Sequence, residues 1–186
     1  LDTVQELPLS MGVVAFTKDK AAAPAQAEAL AARKPAAVIS VEASGANAVG
    51  VCHNAVGLDV TALQARSDVL WDTLRANGVP NIAIGDLGNE IGMGTIAEHI
   101  KKYVPFTAEG ECQCGCGGGI LRATKADNIT TATCSDWGCY GLMAALAYLL
   151  RNIDILHTEE MEAEVMRTAA RSGMIDMTGS LLPGIA

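Results

Sequence analysis

The sequence predicts an α/β fold with a mainly parallel sheet flanked by helices. Short stretches of strand type, two of them apolar and one rich in threonine, alternate with longer stretches rich in helix-forming residues. The predicted strands are Ala37–Glu42, Asn81–Asp86 and Asn128–Cys134. Because strand–helix alternation is typical of parallel sheets covered by helices, we expect these strands to be neighbours in one sheet.

Five helices are predicted from composition and from their end signals. They span Ala21–Arg33, Thr61 to about Ala76, Gly94–Val104, Gly138–Arg151 and Glu159–Ser172. Thr61 and Thr158 are the expected N-caps of the second and fifth, because a threonine hydroxyl can accept a backbone N–H at a helix start.

Length and charge limit the class of protein. The 186 residues fit a single domain over residues 1–186. A net charge of −8 argues against nucleic acid and anionic membrane surfaces as partners. The longest apolar run, Leu142–Leu150, is far shorter than the roughly 20 residues of a membrane span and predicts a buried helix. We expect a soluble protein with a small-molecule substrate, and a homo-oligomer is compatible with the sequence.

The chain begins at Leu1 and shows no signal peptide, so we expect a fragment or processed form that lacks an upstream segment. Three of the six cysteines stand at Cys-x-Cys-x-Cys spacing, and cysteines so close in sequence rarely form disulfides with each other. This favours a reducing compartment: the cytoplasm, or the mitochondrial matrix if the source is eukaryotic.

Three loops should carry the site, because ligands of open parallel sheets bind beyond the carboxyl ends of the strands. Each leaves a predicted strand at that end, and together they hold most of the unusual residues. They are Glu42–Asp59, Gly85–Gly94 and Ser135–Gly141.

The glycine loop, Gly85–Gly94, places four glycines and two acids between a strand and a helix. Glycines let the backbone approach a ligand, and a helix N-terminus suits a carboxylate or phosphate. Asp86 and Glu90 would repel a phosphate unless a metal or ammonium group lay between. The alternative is a tight turn with caps. The candidates are Asp86 and Glu90 for catalysis or metal binding, and Gly88, Asn89 and Gly92 for substrate binding.

In the loop Glu42–Asp59, Glu42 stands at the end of an apolar strand. A carboxylate is unusual at such a position, which suggests a functional role. His53 can act near neutral pH as acid, base or ligand, and Asn47 and Asn54 can orient a polar substrate. Alternatively, each is a satisfied loop residue.

In the third loop the substrate-binding candidates are Ser135, Asp136 and Trp137. Here Ser135 or Asp136 could instead be an N-cap, and Trp137 a core anchor.

Cys112, Cys114 and Cys116 form a metal candidate, because thiolates bind zinc and iron–sulfur clusters. An extended chain would point alternate side chains to opposite faces, so the segment must turn. Candidates for a fourth ligand are Cys52, Cys134, Cys139 and His53. The alternative is a reduced, glycine-rich flap with incidental thiols.

The sequence resembles the D-glutamate cyclase family, whose catalytic region is a glutamate-cyclase-like C-terminal domain. The matching segments are AVISVEASGANAVGVCHNAVGLDV (37–60), NIAIGDLGNEIGMGTI (81–96), SDWGCYGLMAAL (135–146) and LHTEEMEAEVMRTAARSGMIDMTG (156–179). The resemblance covers most of the chain, and the GD-x-GNEIGMG block is long and specific.

The resemblance implies a carbon–oxygen lyase (hydro-lyase) that closes D-glutamate to 5-oxo-D-proline with loss of water. The glycine loop would hold a substrate carboxylate, and Glu42 or Glu90 would bind or deprotonate the ammonium. Departure of the oxygen would be assisted by His53 or by a divalent cation (Zn, Mn or Mg) on Asp86 and Glu90. We expect one pocket to contain Glu42, His53, Asp86, Asn89, Glu90 and Asp136.

The alternative from another class is a non-catalytic metal- or anion-binding module. It would be built on the Cys112–Cys116 cluster and on the glycine loop. Such a module would bind its ligand without turnover.

Overall fold

The computed structural model describes residues 12–174, and its centre is a three-stranded parallel sheet. The strands are β1 (Val38–Val41), β2 (Asn81–Gly85) and β3 (Asn128–Thr131), in the order β1-β2-β3. In the register, Val38 is the partner of Asn81, and Ile82 is the partner of Asn128. The predicted α/β fold with neighbouring parallel strands is confirmed.

All five predicted helices are present, with shifted ends. They are α1 (Ala23–Ala31), α2 (Ser67–Ala76), α3 (Ala97–Tyr103), α4 (Ser135–Leu150) and α5 (Glu159–Arg171). Short 3-10 helices cover Gly94–Ile96, ahead of α3, and Ile153–Ile155. The α4 helix begins three residues before the predicted start, at Ser135.

The two predicted threonine caps have different outcomes. Thr158 is the N-cap of α5, and its side chain accepts the N–H of Met161. The prediction for Thr61 is wrong, because α2 begins only at Ser67. The Thr61 hydroxyl instead accepts the N–H of Cys52 at 2.9 Å, so this residue stabilises the loop after β1.

The core of the sheet holds the glycine loop in place. Trp71 of α2 packs with Ala83, Ile91 and Ala126 in one buried cluster. Gly92 lies over this cluster with a φ of +91°, and a Cβ at its position would lie 2.3 Å from the Cβ of Ala83. Glycine is therefore required here by both backbone conformation and packing.

The chain divides into two compact units, Leu1–Ser135 and Asp136–Ala186. The first contains the sheet, α1 to α3 and the loops after β1 and β2. The expectation of a single domain over the whole chain stays a prediction.

In the second unit, the Tyr140 hydroxyl donates to Glu162 at 2.6 Å, and His157 Nε2 lies 2.8 Å from the same carboxylate.

The prediction of a buried helix over Leu142–Leu150 is wrong at the end of this segment, where Leu149 and Leu150 are 73% and 64% exposed. Between residues 12 and 174, no helix combines the length and apolar character that a membrane crossing requires.

Candidate functional site

Three carboxylates meet at the carboxyl edge of the sheet. Glu42 directly follows β1 and Asp86 directly follows β2. The glycine loop then folds back towards β1, because the N–H of Ile91 donates to the carbonyl of Ala43 at 2.8 Å. This return brings Glu90 to the other two acids, and the carboxylate oxygens of Glu42, Asp86 and Glu90 lie within 4.8 Å of one another. We call this group the acidic cluster.

Glu42 is held in an unusual backbone conformation. Its φ is +50°, in the left-handed region that few non-glycine residues occupy. The hydroxyl of the buried Ser135, which follows β3, donates a hydrogen bond to Glu42 Oε1. The ends of all three strands thus contribute a polar side chain to this edge. Strained residues of this kind are concentrated at functional sites.

Glu90 is only 2% exposed, and its carboxylate is hydrogen-bonded within its own loop. Oε1 accepts the N–H of Leu87 at 3.1 Å, and Oε2 accepts the N–H of Gly88 at 2.7 Å. Burial raises the pKa of Glu90 above its ordinary value, and these backbone hydrogen bonds only partly oppose the shift. The nearby charge of Asp86 adds to the increase. Glu90 therefore takes up a proton more readily than an exposed glutamate.

Most backbone N–H groups of the glycine loop do not form the expected cradle for a substrate carboxylate, because they already donate to acceptors within the protein. Those of Leu87 and Gly88 donate to Glu90, and that of Ile91 donates to Ala43. The N–H of Gly92 donates to Thr124 Oγ1 at 3.3 Å, and that of Gly94 to the Thr124 carbonyl. The loop uses these donors to fix its own shape.

Asn89 is the substrate-binding candidate with unused capacity. Its Nδ2 donates to the carbonyl of His53 at 3.0 Å. Its Oδ1 is buried and has no hydrogen-bond partner among the described residues. A buried acceptor of this kind requires an explanation, and a bound donor group would provide one.

The other two asparagines make hydrogen bonds to the backbone, and their assignment to substrate stays a prediction. Asn47 donates to the Gly119 carbonyl at 2.7 Å, and its Oδ1 accepts the N–H groups of Val49 and Val51. Asn54 Oδ1 accepts the N–H groups two and four residues further along the chain. Both amides hold turns of the loop after β1.

His53 belongs to a second group and not to the acidic cluster. Its Nε2 lies 3.1 Å from Cys114 Sγ and 3.5 Å from Cys116 Sγ. The Cys112 and Cys116 sulfurs are 3.4 Å apart, and the Cys112 and Cys114 sulfurs are 3.7 Å apart. The ligand atoms of His53, Cys112, Cys114 and Cys116 all lie within 4.8 Å of one another and could hold a metal ion. We call this group the His–Cys cluster.

The cysteine segment, residues 112–119, turns as the prediction required, with positive φ at Gly115 and Gly117. Of the four candidates for a fourth ligand, the structure places His53 beside the three cysteines. Desolvation raises the pKa of the Cys112 thiol, but hydrogen bonds from neighbouring thiols and backbone N–H groups outweigh it and lower the pKa to about 6. Cys112 is thus predisposed to the thiolate form that metals bind.

Arg122 is a buried residue that the sequence did not single out. Its Nη1 donates to the carbonyl of Ala46 and lies 3.6 Å from the carboxylate of Asp68. Asp68 in turn pairs with Arg66 at 2.6 Å. Gly45 faces the guanidinium so closely that a Cβ would lie 2.2 Å from Arg122 Cζ. This ion network fixes the loop that begins at Glu42.

Asp136 and Trp137 belong to the second compact unit, where both are exposed. Trp137 is 61% exposed, so the alternative that it anchors the core is wrong. Their assignment to substrate stays a prediction.

The fold and these two clusters define a parallel α/β domain with an acidic site at the carboxyl edge of its sheet. A family model described as D-glutamate cyclase-like, C-terminal, matches residues 2–184, and the chain belongs to this family. The chain is also similar to a human (Homo sapiens) protein named D-glutamate cyclase, mitochondrial, with 31% identity over 116 residues. The match covers 61% of this chain and 17% of the human protein.

Proposed function

We propose that this chain carries cyclase chemistry of the kind named in its family: dehydration of D-glutamate to 5-oxo-D-proline, a carbon–oxygen lyase reaction. The observation that carries the proposal is the convergence of Glu42, Asp86 and Glu90 at the carboxyl edge of the sheet. Three acids on so small an area attract a cation, and the substrate brings one in its α-ammonium group.

The reaction requires the α-amine to lose protons and attack the γ-carboxyl carbon, which then loses oxygen as water. Glu42, which is exposed and oriented by Ser135, is assigned to bind and deprotonate the ammonium. Glu90, with its raised pKa, is assigned to carry a proton to the departing oxygen. Two acids in different environments can thus serve opposite roles. The buried Oδ1 of Asn89 is an acceptor suited to an N–H of the substrate.

The donor set of the acidic cluster also fits a hard divalent cation. Glu42, Asp86 and Glu90 offer carboxylate oxygens within 4.8 Å, and the Glu90 oxygens keep lone pairs beside their backbone hydrogen bonds. A bound Mg²⁺ or Mn²⁺ would supply Lewis-acid polarisation of the γ-carboxylate. Asp86 would then serve as one of the carboxylate ligands.

His53 is not assigned an acid–base role in this scheme. Its side chain is completely buried and faces sulfur atoms. We place its contribution to the site in the backbone, because its carbonyl accepts hydrogen bonds from Asn89 and Ser44.

The proposed compartment is a reducing one, the cytoplasm or, in a eukaryote, the mitochondrial matrix. Cys52, Cys112, Cys114 and Cys116 are free thiols, which supports a reducing environment. The human relative has "mitochondrial" in its name, which is compatible with the second alternative.

The test is incubation of purified protein with D-glutamate and, separately, L-glutamate, with and without added Mn²⁺ or Mg²⁺. Chiral chromatography then measures 5-oxoproline. We expect enzyme-dependent formation of the D-product and little from L-glutamate. Absence of product from either enantiomer under all metal conditions would refute the proposal.

The second candidate is the non-catalytic metal-binding module, which the His–Cys cluster favours. It predicts tight metal binding without turnover of either enantiomer. Metal analysis combined with the glutamate assay distinguishes the two, because only the cyclase converts substrate.

A further inference from the structure

We propose that His53, Cys112, Cys114 and Cys116 form a structural zinc site with four protein ligands. This inference concerns the His–Cys cluster alone and does not rest on the proposed cyclase activity. The cluster combines the loop after β1 with the segment between α3 and β3, two parts of the chain about 60 residues apart.

The distances match the edges of a tetrahedron around one ion. Zinc–sulfur bonds of about 2.3 Å and zinc–nitrogen bonds of about 2.0 Å give sulfur–sulfur edges of about 3.8 Å and sulfur–nitrogen edges of about 3.5 Å. Two of the three sulfur–sulfur distances are 3.4 and 3.7 Å. Two of the three sulfur–nitrogen distances are 3.1 and 3.5 Å. The remaining edge of each kind is no longer than 4.8 Å. Small outward movements of these side chains would admit the ion.

The imidazole of His53 provides an independent argument. The side chain is fully buried, and its Nδ1 has no hydrogen-bond partner among the described residues. Its Nε2 faces the sulfur atoms of Cys114 and Cys116, and sulfur is a weak hydrogen-bonding partner. Burying a polar ring with so few strong bonds is costly, and a bond from Nε2 to zinc would offset the part of that cost that arises at Nε2.

The surroundings also suit the charge of a zinc–thiolate centre. Zn²⁺ with three thiolates and a neutral histidine carries one net negative charge. The N–H of Gly118 lies 3.4 Å from Cys116 Sγ, and Asn47 Nδ2 lies 3.5 Å from the same atom. Such N–H donors around sulfur stabilise thiolate ligands and fix their orientation.

The site is structural because its four protein ligands complete a tetrahedral shell and leave no position for substrate. Zinc on His53 would fix the loop after β1, which begins at Glu42 of the acidic cluster. The His53 carbonyl accepts hydrogen bonds from Asn89 at 3.0 Å and from Ser44 Oγ at 3.3 Å. The backbone of Gly57 in the same loop accepts the N–H of Gln113, which adds a second connection to the cysteine segment.

The test is elemental analysis of protein purified without chelator, with Cys114→Ser as the variant and Cys139→Ser as the matched control. Cys139 is a half-buried cysteine outside the cluster. We expect about one zinc per chain in the wild type and the control, and at least a tenfold loss in Cys114→Ser. The thermal midpoint should fall by several degrees in the variant and in chelator-treated wild type. Wild-type levels of zinc in Cys114→Ser would overturn the proposal, as would iron in place of zinc.

A second measurement needs no variant and therefore does not depend on how Cys114→Ser folds. Wild-type protein stripped of metal and reloaded with Co²⁺ should show the intense visible bands of a tetrahedral thiolate site. The weak spectrum of octahedral Co²⁺, or failure to bind it, would contradict the proposal. Neither measurement requires turnover, so its outcome is independent of the cyclase assay.

Discussion

The side chain of Asn89 donates a 3.0 Å hydrogen bond to the backbone carbonyl of His53. This bond joins the two groups of unusual residues in the fold, because His53 belongs to the His–Cys cluster and Asn89 precedes Glu90 of the acidic cluster. Since Asn89 Oδ1 remains without a partner among the described residues, the same side chain can face a ligand. One amide thus connects the cysteine segment to the proposed catalytic edge.

Replacing Glu90 by Gln should lower turnover of D-glutamate by roughly 10²–10⁴-fold, because the variant cannot transfer a proton through this group. Steady-state kinetics on D-glutamate measure the effect. Glu109→Gln is the control, since that glutamate is 82% exposed and lies outside the acidic cluster. Nearly full activity in Glu90→Gln would reduce Glu90 to a loop cap and leave Glu42 as the better candidate.

The stability of the protein should depend on pH through Glu90. Its pKa in the folded protein is raised by burial above the ordinary value of 4.5, so the folded state binds this proton more tightly than the unfolded state. The contribution of Glu90 to the free energy of unfolding therefore decreases as pH rises from 4.5 through the folded-state pKa.

Urea unfolding of wild type and Glu90→Gln, in chelator and across this pH range, isolates that contribution. The difference in unfolding free energy, wild type minus variant, should fall with rising pH. A constant difference would show that the Glu90 pKa is the same in both states.

Gly92→Ala should destabilise the fold more than Gly110→Ala. Both glycines have positive φ, but nothing lies within 4 Å of a Cβ at Gly110, whereas one at Gly92 would collide with Ala83. We expect Gly110→Ala to cost about 1–2 kcal/mol from backbone strain alone. Gly92→Ala should cost about 1–3 kcal/mol more from overpacking. Equal losses in denaturant unfolding would show that the loop moves away from the sheet without cost.

Arg122→Met should cost about 1–3 kcal/mol, because it leaves the buried carbonyl of Ala46 without this donor and removes the second of the two cationic partners of Asp68. Arg75→Met is the matched control, since Arg75 pairs with Asp127 at the surface. An exposed pair of this kind contributes less than about 1 kcal/mol. Denaturant unfolding of both variants compares the two environments, and a loss at Arg122 as small as that at Arg75 would contradict the ion network.

The sheet was predictable because β1 and β2 are short apolar runs followed by polar or glycine-rich loops, and because β3 is rich in threonine, a residue that favours strands. The start of α2 was not, because Thr61 is chemically suited to a cap but is used by the N–H of Cys52. Whether a threonine caps a helix depends on which backbone N–H groups the folded chain brings to its hydroxyl, and a local sequence pattern does not contain that information.

The convergence of Glu42 with Asp86 and Glu90 follows from parallel strands whose carboxyl ends share one edge. The self-bonding of the glycine loop does not follow from sequence, because it depends on the backbone path that turns Glu90 onto its own N–H groups. The choice of His53 among four possible fourth ligands likewise depends on how two distant loops pack.

The central claim is that the acidic cluster performs chemistry on D-glutamate, and the kcat/KM of Asp86→Asn tests it most directly. Asp86 is half-buried at the end of β2, so the amide should preserve the fold and thermal midpoint. Glu98→Gln, a change at an exposed residue of α3, is the control. The account predicts a loss of roughly 10²–10⁴-fold for Asp86→Asn, because Asp86 is assigned to hold the divalent cation that polarises the γ-carboxylate, and wild-type values for the control. A kcat/KM for Asp86→Asn equal to that of the wild type would contradict it.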